Sequence, residues 1–477
     1  MTKYYITSSI PYINSEPHLG FAMELIIADV LARYARKQGK DVIFSTGTDE
    51  HGGKIAEKAE KVGISTKEFS DSMSKKFQEL TALLNISNNR FIRTTDKTHE
   101  SIAQTIWKKL EEDIYKSKYV GWYCTGDEAF FTEVEVKANK GICPNHNRPY
   151  EKIEEENYFF KLSKYGPRII EAIKDDSFRI IPATRRNEIL SLIESGLEDI
   201  SISRPKDKIE WGIDVPGDNS QVIYVWFEAL MNYLSGLGYP DNTDFKDYWP
   251  PNIQVIGKDI IRFHAAIWPA ILLGLKIKLP ETLYVHGFIN IEGQKMSKSL
   301  GNAVSPEDIV ANYGTDPLRY YLLRHIPSYA DGDFSIAKFI DSYNHELANE
   351  LGNALSRTLA MVDQYLGGKI GEIKLPSHDT ADYEQAINDC RLDRALEDVF
   401  NQIRGLNQYI EEEKPWQLAK SKDAEHLKEV LAYQVGSLIE IADLLEPFLP
   451  ETSLKIKAAF EGGQTHKMTE TLFPKRT

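Results

Sequence analysis

Residues 3–48 carry the order strand, loop, helix, strand, and no other stretch limits the possible folds as much. Residues 3–10, KYYITSSI, are dense in aromatic and β-branched side chains, the composition of a strand. The segment INSEP, closed by Pro17, supplies turn formers. Leu19, Met23, Ile26, Ile27, Val30 and Leu31 then recur near a 3.6-residue period, and Gly39 is a suitable stop. Residues 41–48, DVIFSTGT, read as a second strand. Parallel strands need a crossover, usually a helix, so this unit predicts an α/β fold built on a parallel sheet.

The pattern is interrupted. Residues 116–215 are rich in Tyr, Trp, Asp and Glu and contain a Cys/His cluster, which reads as an inserted module. Strand and helix signals resume with QVIYVWF (221–227), IQVIGKD (253–259), a helix over 264–275 and ETLYVHGFIN (281–290). From about Ile336 the chain becomes helical. Leu347, Leu351, Ala354, Thr358, Met361 and Tyr365 recur every three to four residues. So do Leu392, Leu396, Val399, Ile403, Leu406 and Ile410, and again Leu427, Leu431, Val435, Leu438, Ala442 and Leu445. Three amphipathic helices predict an all-α bundle. The expected division is 1–115 and 221–335 as two halves of one α/β domain, 116–220 as an insertion and 336–477 as the helical domain. At roughly 150 residues per domain, 477 residues suit this division.

Composition excludes several classes. With 42% apolar and 27% charged residues the chain is not globally disordered. Its best apolar run, residues 265–275, falls well short of the ~20 residues a membrane helix needs, so no membrane association is expected. The N-terminus lacks a continuous apolar stretch, so no signal peptide is expected. Three cysteines rule out a disulfide framework and favour a reducing compartment, the cytoplasm. A net charge of −14 leaves no basic footprint over the whole surface, so nucleic-acid contact must be local and shaped.

Two loops carry chemistry. Residues 11–21, from Pro11 to Phe21, join the first strand to the first helix, at the carboxyl edge where doubly wound sheets bind ligands. The helix N-terminus there offers N–H groups to a phosphate, Gly20 permits close backbone approach, and His18 can donate to a phosphate oxygen. Lys295-Met296-Ser297-Lys298-Ser299 places two lysines and two serines in five residues, a compact polyphosphate site. Taken singly, each has a plain alternative: a βα loop with a surface histidine, and a solvated basic loop.

Taken together, His18-Leu19-Gly20-Phe21 and Lys295–Ser299 resemble the paired His-Ile-Gly-His and Lys-Met-Ser-Lys-Ser signatures of the class I aminoacyl-tRNA synthetases, in matching order and βα context. One departure is Phe21, where the second family histidine usually stands. The resemblance is to the methionyl-tRNA synthetases over nearly the whole chain. It runs through TGTDEHG (46–52), YVWFEALMNY (224–233), IGKDIIRFHAAIWPA (256–270), VHGFINIEGQKMSKSLGN (285–302), FIDSYNHELANELGNALSRTL (339–359) and EEEKPWQLAK (411–420). It implies a Rossmann-type doubly wound sheet split by a connective insertion and followed by a helical anticodon-binding domain. The implied enzyme is a ligase that activates L-methionine with ATP to methionyl-adenylate and charges the 3′ end of tRNA(Met).

The resemblance also implies site residues. Methionine would be lined by Ile10, Tyr12, Trp226, Ala229, Tyr233, Ile260 and His264, with Trp268 a movable aromatic and Asp49 holding the ammonium. Such apolar, polarizable walls suit a thioether, although aromatics of this kind are also common core residues. ATP would meet Pro11, His18, Gly20, Phe21, Gly257, Asp259, His286 and Lys298, with Mg²⁺ neutralising the polyphosphate; His18, Lys295 and Lys298 would stabilise the transition state. Leu230 departs from a proline common in some relatives. Cys124, Asp127, Cys143 and His146 fall at the spacing of a zinc knuckle, with Asp127 where a cysteine is common. Structural Zn²⁺ and a metal-free remnant both remain open; in either case the module serves folding. Asn353, Arg357 and Trp416 match anticodon-contacting positions, and their side chains suit base edges and base stacking. The chain has no room for an added C-terminal dimerising domain, so a monomer is expected. Two rivals stand beside this reading: a synthetase for cysteine, which lacks its zinc constellation here, and a catalytically silent paralogue that binds tRNA or nucleotide, supported only by Phe21.

Overall fold

Six strands form a wholly parallel central sheet: β1 (Lys3–Ser8), β2 (Asp41–Thr48), β3 (Arg90–Arg93), β4 (Arg179–Ile181), β5 (Ile253–Gly257) and β6 (Thr282–His286). Their spatial order in this computed structural model is β3-β2-β1-β5-β6-β4. It describes residues 1–476 except 127, 128, 132, 145, 146, 296–303, 372, 374, 377, 378, 422 and 469. Most of β1 and β2 is buried, as strands must be when helices cover both faces of a parallel sheet. The chain winds from β1 outward to β2 and β3, then returns to the other side of β1 for β5 and β6. The order reverses between β1 and β5, and their carboxyl ends frame the crevice in which such sheets hold ligands.

Helix α1 (Leu19–Lys37) follows β1 and is buried nearly all round. A helix this rich in apolar side chains belongs inside a core, and its two buried carboxylates, Glu24 and Asp29, are both paired there. Here it lies between the sheet and the C-terminal helices, in one apolar cluster that runs from Ile6 and Leu25 through Leu318 and Leu322 to Val399 and Leu438. Arg319 closes this junction. It is fully buried, donates to the carbonyls of Leu84 (3.1 Å), Pro447 (3.1 Å) and Phe448 (2.7 Å), and pairs with buried Asp29 of α1 at 2.8 Å. The three periodic helical signals correspond to Tyr343–Gly352 continued by Asn353–Leu366, to Leu392–Glu413 and to Ala424–Leu445.

Three expectations need correction. QVIYVWF is not a strand of the central sheet. Residues Asp218–Ile223 pair antiparallel in a separate three-stranded sheet, and Val225–Ala229 is a helical turn. A β-branched and aromatic run has strand propensity, but tertiary packing overrides it. ETLYVHGFIN divides at Gly287: β6 ends at His286, and Ile289–Ile291 joins another small sheet. Residues 116–220 are not wholly outside the central sheet either, because β4 returns to pair with β6. The rest of that segment includes a four-stranded antiparallel sheet built on Ile114–Cys124 and Glu151–Phe160.

Candidate active site

The crevice is assembled from strand ends. Beyond β1, the Asp49 N–H donates to the Pro11 carbonyl (2.9 Å) and the Ile13 N–H donates to the Asp49 carbonyl (3.2 Å). The Tyr12 loop and Asp49 therefore extend the β1–β2 ladder past the sheet edge. Asp49 is buried there.

His18 caps α1. Its Nδ1 accepts from the Gly20 N–H at 3.1 Å and the Phe21 N–H at 3.4 Å, which assigns the neutral-ring proton to Nε2 and makes that nitrogen the donor. A Cβ on Gly20 would stand 3.1 Å from the His18 ring, so glycine lets the imidazole fold over the helix end. Phe21 does not face the crevice as a substitute for histidine. It is buried and meets Phe77 edge-on at 5.4 Å between centroids. An aromatic side chain at this turn gains more from core burial than from water.

The expected methionine-lining residues gather between β1 and β5. Tyr12, Trp226, Tyr233, Ile260 and Trp268 share one apolar cluster; Ala229 and Ile10 stand outside it, the first buried and the second half-buried. Trp226 stacks on Phe263 at 4.2 Å. His264 lies in a widened helical turn, Phe263–Ile267, of the kind often found at functional sites. Its Nδ1–H donates to the Ile260 carbonyl (3.0 Å), so Nε2 accepts the Tyr233 hydroxyl proton at 2.7 Å. Burial lowers His264 to about 4 and raises Tyr233 well above its ordinary value, so both stay neutral as this pairing requires. Trp268 is fully buried, donates to Gln254 Oε1 (3.1 Å) and lies against Tyr233 at 5.5 Å.

On the other side, Gly257 ends β5. A Cβ there would fall 2.8 Å from Asp259 Oδ1 and 3.7 Å from the His286 ring, so its absence lets both close in. His286 is buried, and its Nε2 pairs with Glu24 Oε2 at 3.0 Å. Burial works to lower His286, but the Glu24 carboxylate outweighs it and holds the imidazole above its ordinary value. Glu24 also accepts from the Ser9 N–H (2.7 Å) and Oγ–H (2.6 Å), tying α1 to the ends of β1 and β6.

Other expected residues are only partly placed. Lys295 closes a short strand and its backbone alone is described; Lys298 lies outside the described residues. Cys124 and Cys143 are buried in one small cluster with Val136 and Tyr150, while Asp127 and His146 lie outside the described residues. Among the described residues no three His, Cys, Asp or Glu side chains converge for a metal. In the helical part, Asn353 and Arg357 share a helix, and the Arg357 guanidinium stands 5.6 Å over the half-buried Trp416 ring while pairing with Glu411 (2.7 Å). Among the described residues no helix is long and apolar enough to cross a membrane.

Sequence reasoning missed several polar groups of the site. Glu24 was legible only as a carboxylate inside an apolar helix. Glu228 is fully buried and receives His51 Nδ1 (2.9 Å) on one oxygen and His99 Nε2 (2.8 Å) on the other. Arg204 is buried with its guanidinium 4.2 Å from the Tyr224 ring, and it lines a small cleft with His51, Tyr123 and Trp211.

The chain matches the family described as tRNA synthetases class I (M) over residues 4–152 and 148–359. It is 41% identical to the methionine–tRNA ligase of Thermotoga maritima, over 96% of this chain and 76% of that one. It is likewise 41% identical to that of Brucella suis, over 95% of this chain and 91% of that one. The Mycobacterium tuberculosis methionyl-tRNA synthetase in complex with methionyl-adenylate superposes with a TM-score of 0.92 at 36% identity, covering 99% of this chain and 100% of that one. The free form of the Mycobacterium tuberculosis protein gives 0.85 at 34% identity, covering 100% and 99%.

Proposed function

The chain belongs to the class I tRNA synthetases of the methionine type, and we propose that it activates L-methionine with ATP and transfers the methionyl group to the 3′ end of tRNA(Met). The observation that carries this is the crevice between β1 and β5. One side presents an apolar aromatic wall with a neutral His264 and a buried carboxylate at Asp49. The other presents the His18-capped helix end and Asp259, drawn in against Gly257.

Methionine enters with its thioether against Tyr12, Trp226, Tyr233, Ile260 and His264 and its ammonium toward Asp49. Its carboxylate oxygen attacks the α-phosphorus of ATP. The bond from that phosphorus to the bridging oxygen breaks, and its electron pair leaves with pyrophosphate. No protein nucleophile is needed; the chain aligns the reactants and stabilises charge on the phosphates. The His18 Nε2–H acts on that charge, because its Nδ1 already takes the Gly20 and Phe21 N–H groups that the helix start was expected to offer, with Lys295 and Lys298 assigned to the same task. ATP is taken as its Mg²⁺ complex. Gly257 admits the adenosine and Asp259 holds its ribose hydroxyls. A terminal ribose hydroxyl of tRNA then attacks the methionyl carbonyl and expels AMP.

Cys124 and Cys143 supply the two buried thiols that a structural Zn²⁺ would use, and its role would be to fold the segment around them. We assign the anticodon to Asn353, Arg357 and Trp416, where the guanidinium over the indole forms a stacking surface. Charging assays on a tRNA transcript with a CAU anticodon test this reading. Arg357→Ala should reduce charging at least tenfold while leaving methionine-dependent ATP–pyrophosphate exchange within twofold. An equal loss in both assays would contradict the separation of the two sites.

A further inference from the structure

Glu228 takes no part in the chemistry above, yet its burial is complete and both of its oxygens are engaged. It sits in the turn Val225–Ala229, between Trp226 and Ala229 of the proposed side-chain pocket. One oxygen accepts from His51, two residues beyond Asp49. The other accepts from His99, whose Nδ1 meets Ser235 Oγ at 2.9 Å in the turn that carries Tyr233. The loop holding Asp49 has other anchors, none of them to the Trp226 turn: Asp49 to Pro11 and Ile13 through the main chain, the Glu50 carbonyl to Trp211 Nε1 (2.6 Å), the Gly52 N–H to the Trp211 carbonyl (2.9 Å), and the Glu50 carboxylate, which accepts from Thr48 Oγ1 (2.6 Å), Thr95 Oγ1 (2.5 Å) and Arg93 (2.7 and 2.8 Å). Among the described side chains, Glu228 is the carboxylate that joins this loop to the Trp226 turn.

From this geometry we infer that Glu228 is a positioning residue for methionine, setting the distance between the ammonium subsite at Asp49 and the thioether subsite at Trp226 and Ala229. A carboxylate offers acceptors on both oxygens, which two imidazole N–H groups can occupy together. Alanine removes both anchors. Glutamine keeps the shape and one acceptor, so its damage is intermediate. The effect depends on the ligand: a molecule that uses both subsites suffers, and one that uses only the apolar subsite does not. The inference rests on the methionine reading of the crevice.

The test is ATP–pyrophosphate exchange on the full chain with Glu228→Gln and Glu228→Ala. KM for methionine should rise at least threefold in the first and tenfold in the second, with KM for ATP within twofold and kcat within threefold. Competition by methioninol should weaken in parallel, while competition by 4-(methylthio)butan-1-ol, which lacks the amine, should stay within twofold. Should the alanine variant fail to fold, the glutamine variant carries the same comparison. An unchanged KM for methionine, a matched rise in KM for ATP, or equal weakening of both competitors would overturn the role of Glu228. Wild-type exchange with another amino acid would instead overturn the methionine reading itself.

Discussion

Replacing Arg319 by leucine should cost the fold far more than removing an average arginine. Its guanidinium is wholly buried and makes four contacts, three to carbonyls of two chain segments, Leu84 and Pro447-Phe448, and one to the Asp29 carboxylate. Removing one partner of a buried ion pair typically costs about 3–5 kcal/mol. Each carbonyl left dry and unpartnered adds up to about 1–3 kcal/mol, but water entering the vacated space offsets part of that. Asp29 also keeps Arg33 (2.7 Å) and the Ser87 N–H and Oγ–H, which limits the loss on the acidic side. The net expectation is a destabilisation of about 3–5 kcal/mol. Arg319→Lys should recover little of it, because an ammonium cannot reproduce the planar fork that reaches Leu84, Pro447 and Phe448 together. Urea unfolding followed by circular dichroism reads the loss, and limited proteolysis shows whether residues 392–445 loosen first. A loss below about 1 kcal/mol in Arg319→Leu, or full rescue by lysine, would refute the claim that this residue fastens the helical region to α1.

Two further perturbations follow from the crevice. Gly257→Ala pushes a methyl against Asp259 Oδ1; the carboxylate can swing away, so the fold should survive while KM for ATP rises at least fivefold and KM for methionine stays within twofold. His264, held at about 4 by burial despite the opposing pulls of the Ile260 carbonyl and Glu24, gives a pH-dependent stability. The unfolded chain takes up this proton as pH falls through about 6.5, whereas the folded chain resists until about 4, so the His264 contribution lowers stability by about 3 kcal/mol across that window and adds no further slope below it. His325, also held at about 4, acts in the same direction, so the comparison is wild type against His264→Gln, which should lose this part of the slope. Parallel slopes in the two proteins would contradict the buried neutral imidazole.

The first βαβ unit was legible because local propensity, periodicity and turn chemistry agree there: the segment read as 41–48 is the strand Asp41–Thr48. The helical repeats between Leu392 and Leu445 were legible for the same reason. The strand Arg90–Arg93 was not; it has four half-buried residues, two of them arginines, and no alternation to mark it. Strand Arg179–Ile181 was hidden because its pairing with Thr282–Tyr284 is set by contacts a hundred residues apart in sequence. At the site, the loop from Pro11 to Phe21 and the Gly257 turn could be read from composition and position. Glu24 and Glu228 could not, since each is placed by partners from distant segments, Ser9 with His286 and His51 with His99. Phe21 illustrates the reverse: it looked like a gap in a binding motif, and it is a core side chain.

The central claim is tested most directly by amino-acid-dependent ATP–pyrophosphate exchange on the wild-type chain, with each of the twenty amino acids supplied separately and Mg²⁺ present. The account predicts exchange with methionine alone, at a site that works with Phe21 after the His18 cap. Exchange with a different amino acid would contradict the assigned pocket, and no exchange from folded protein would contradict the assigned activity.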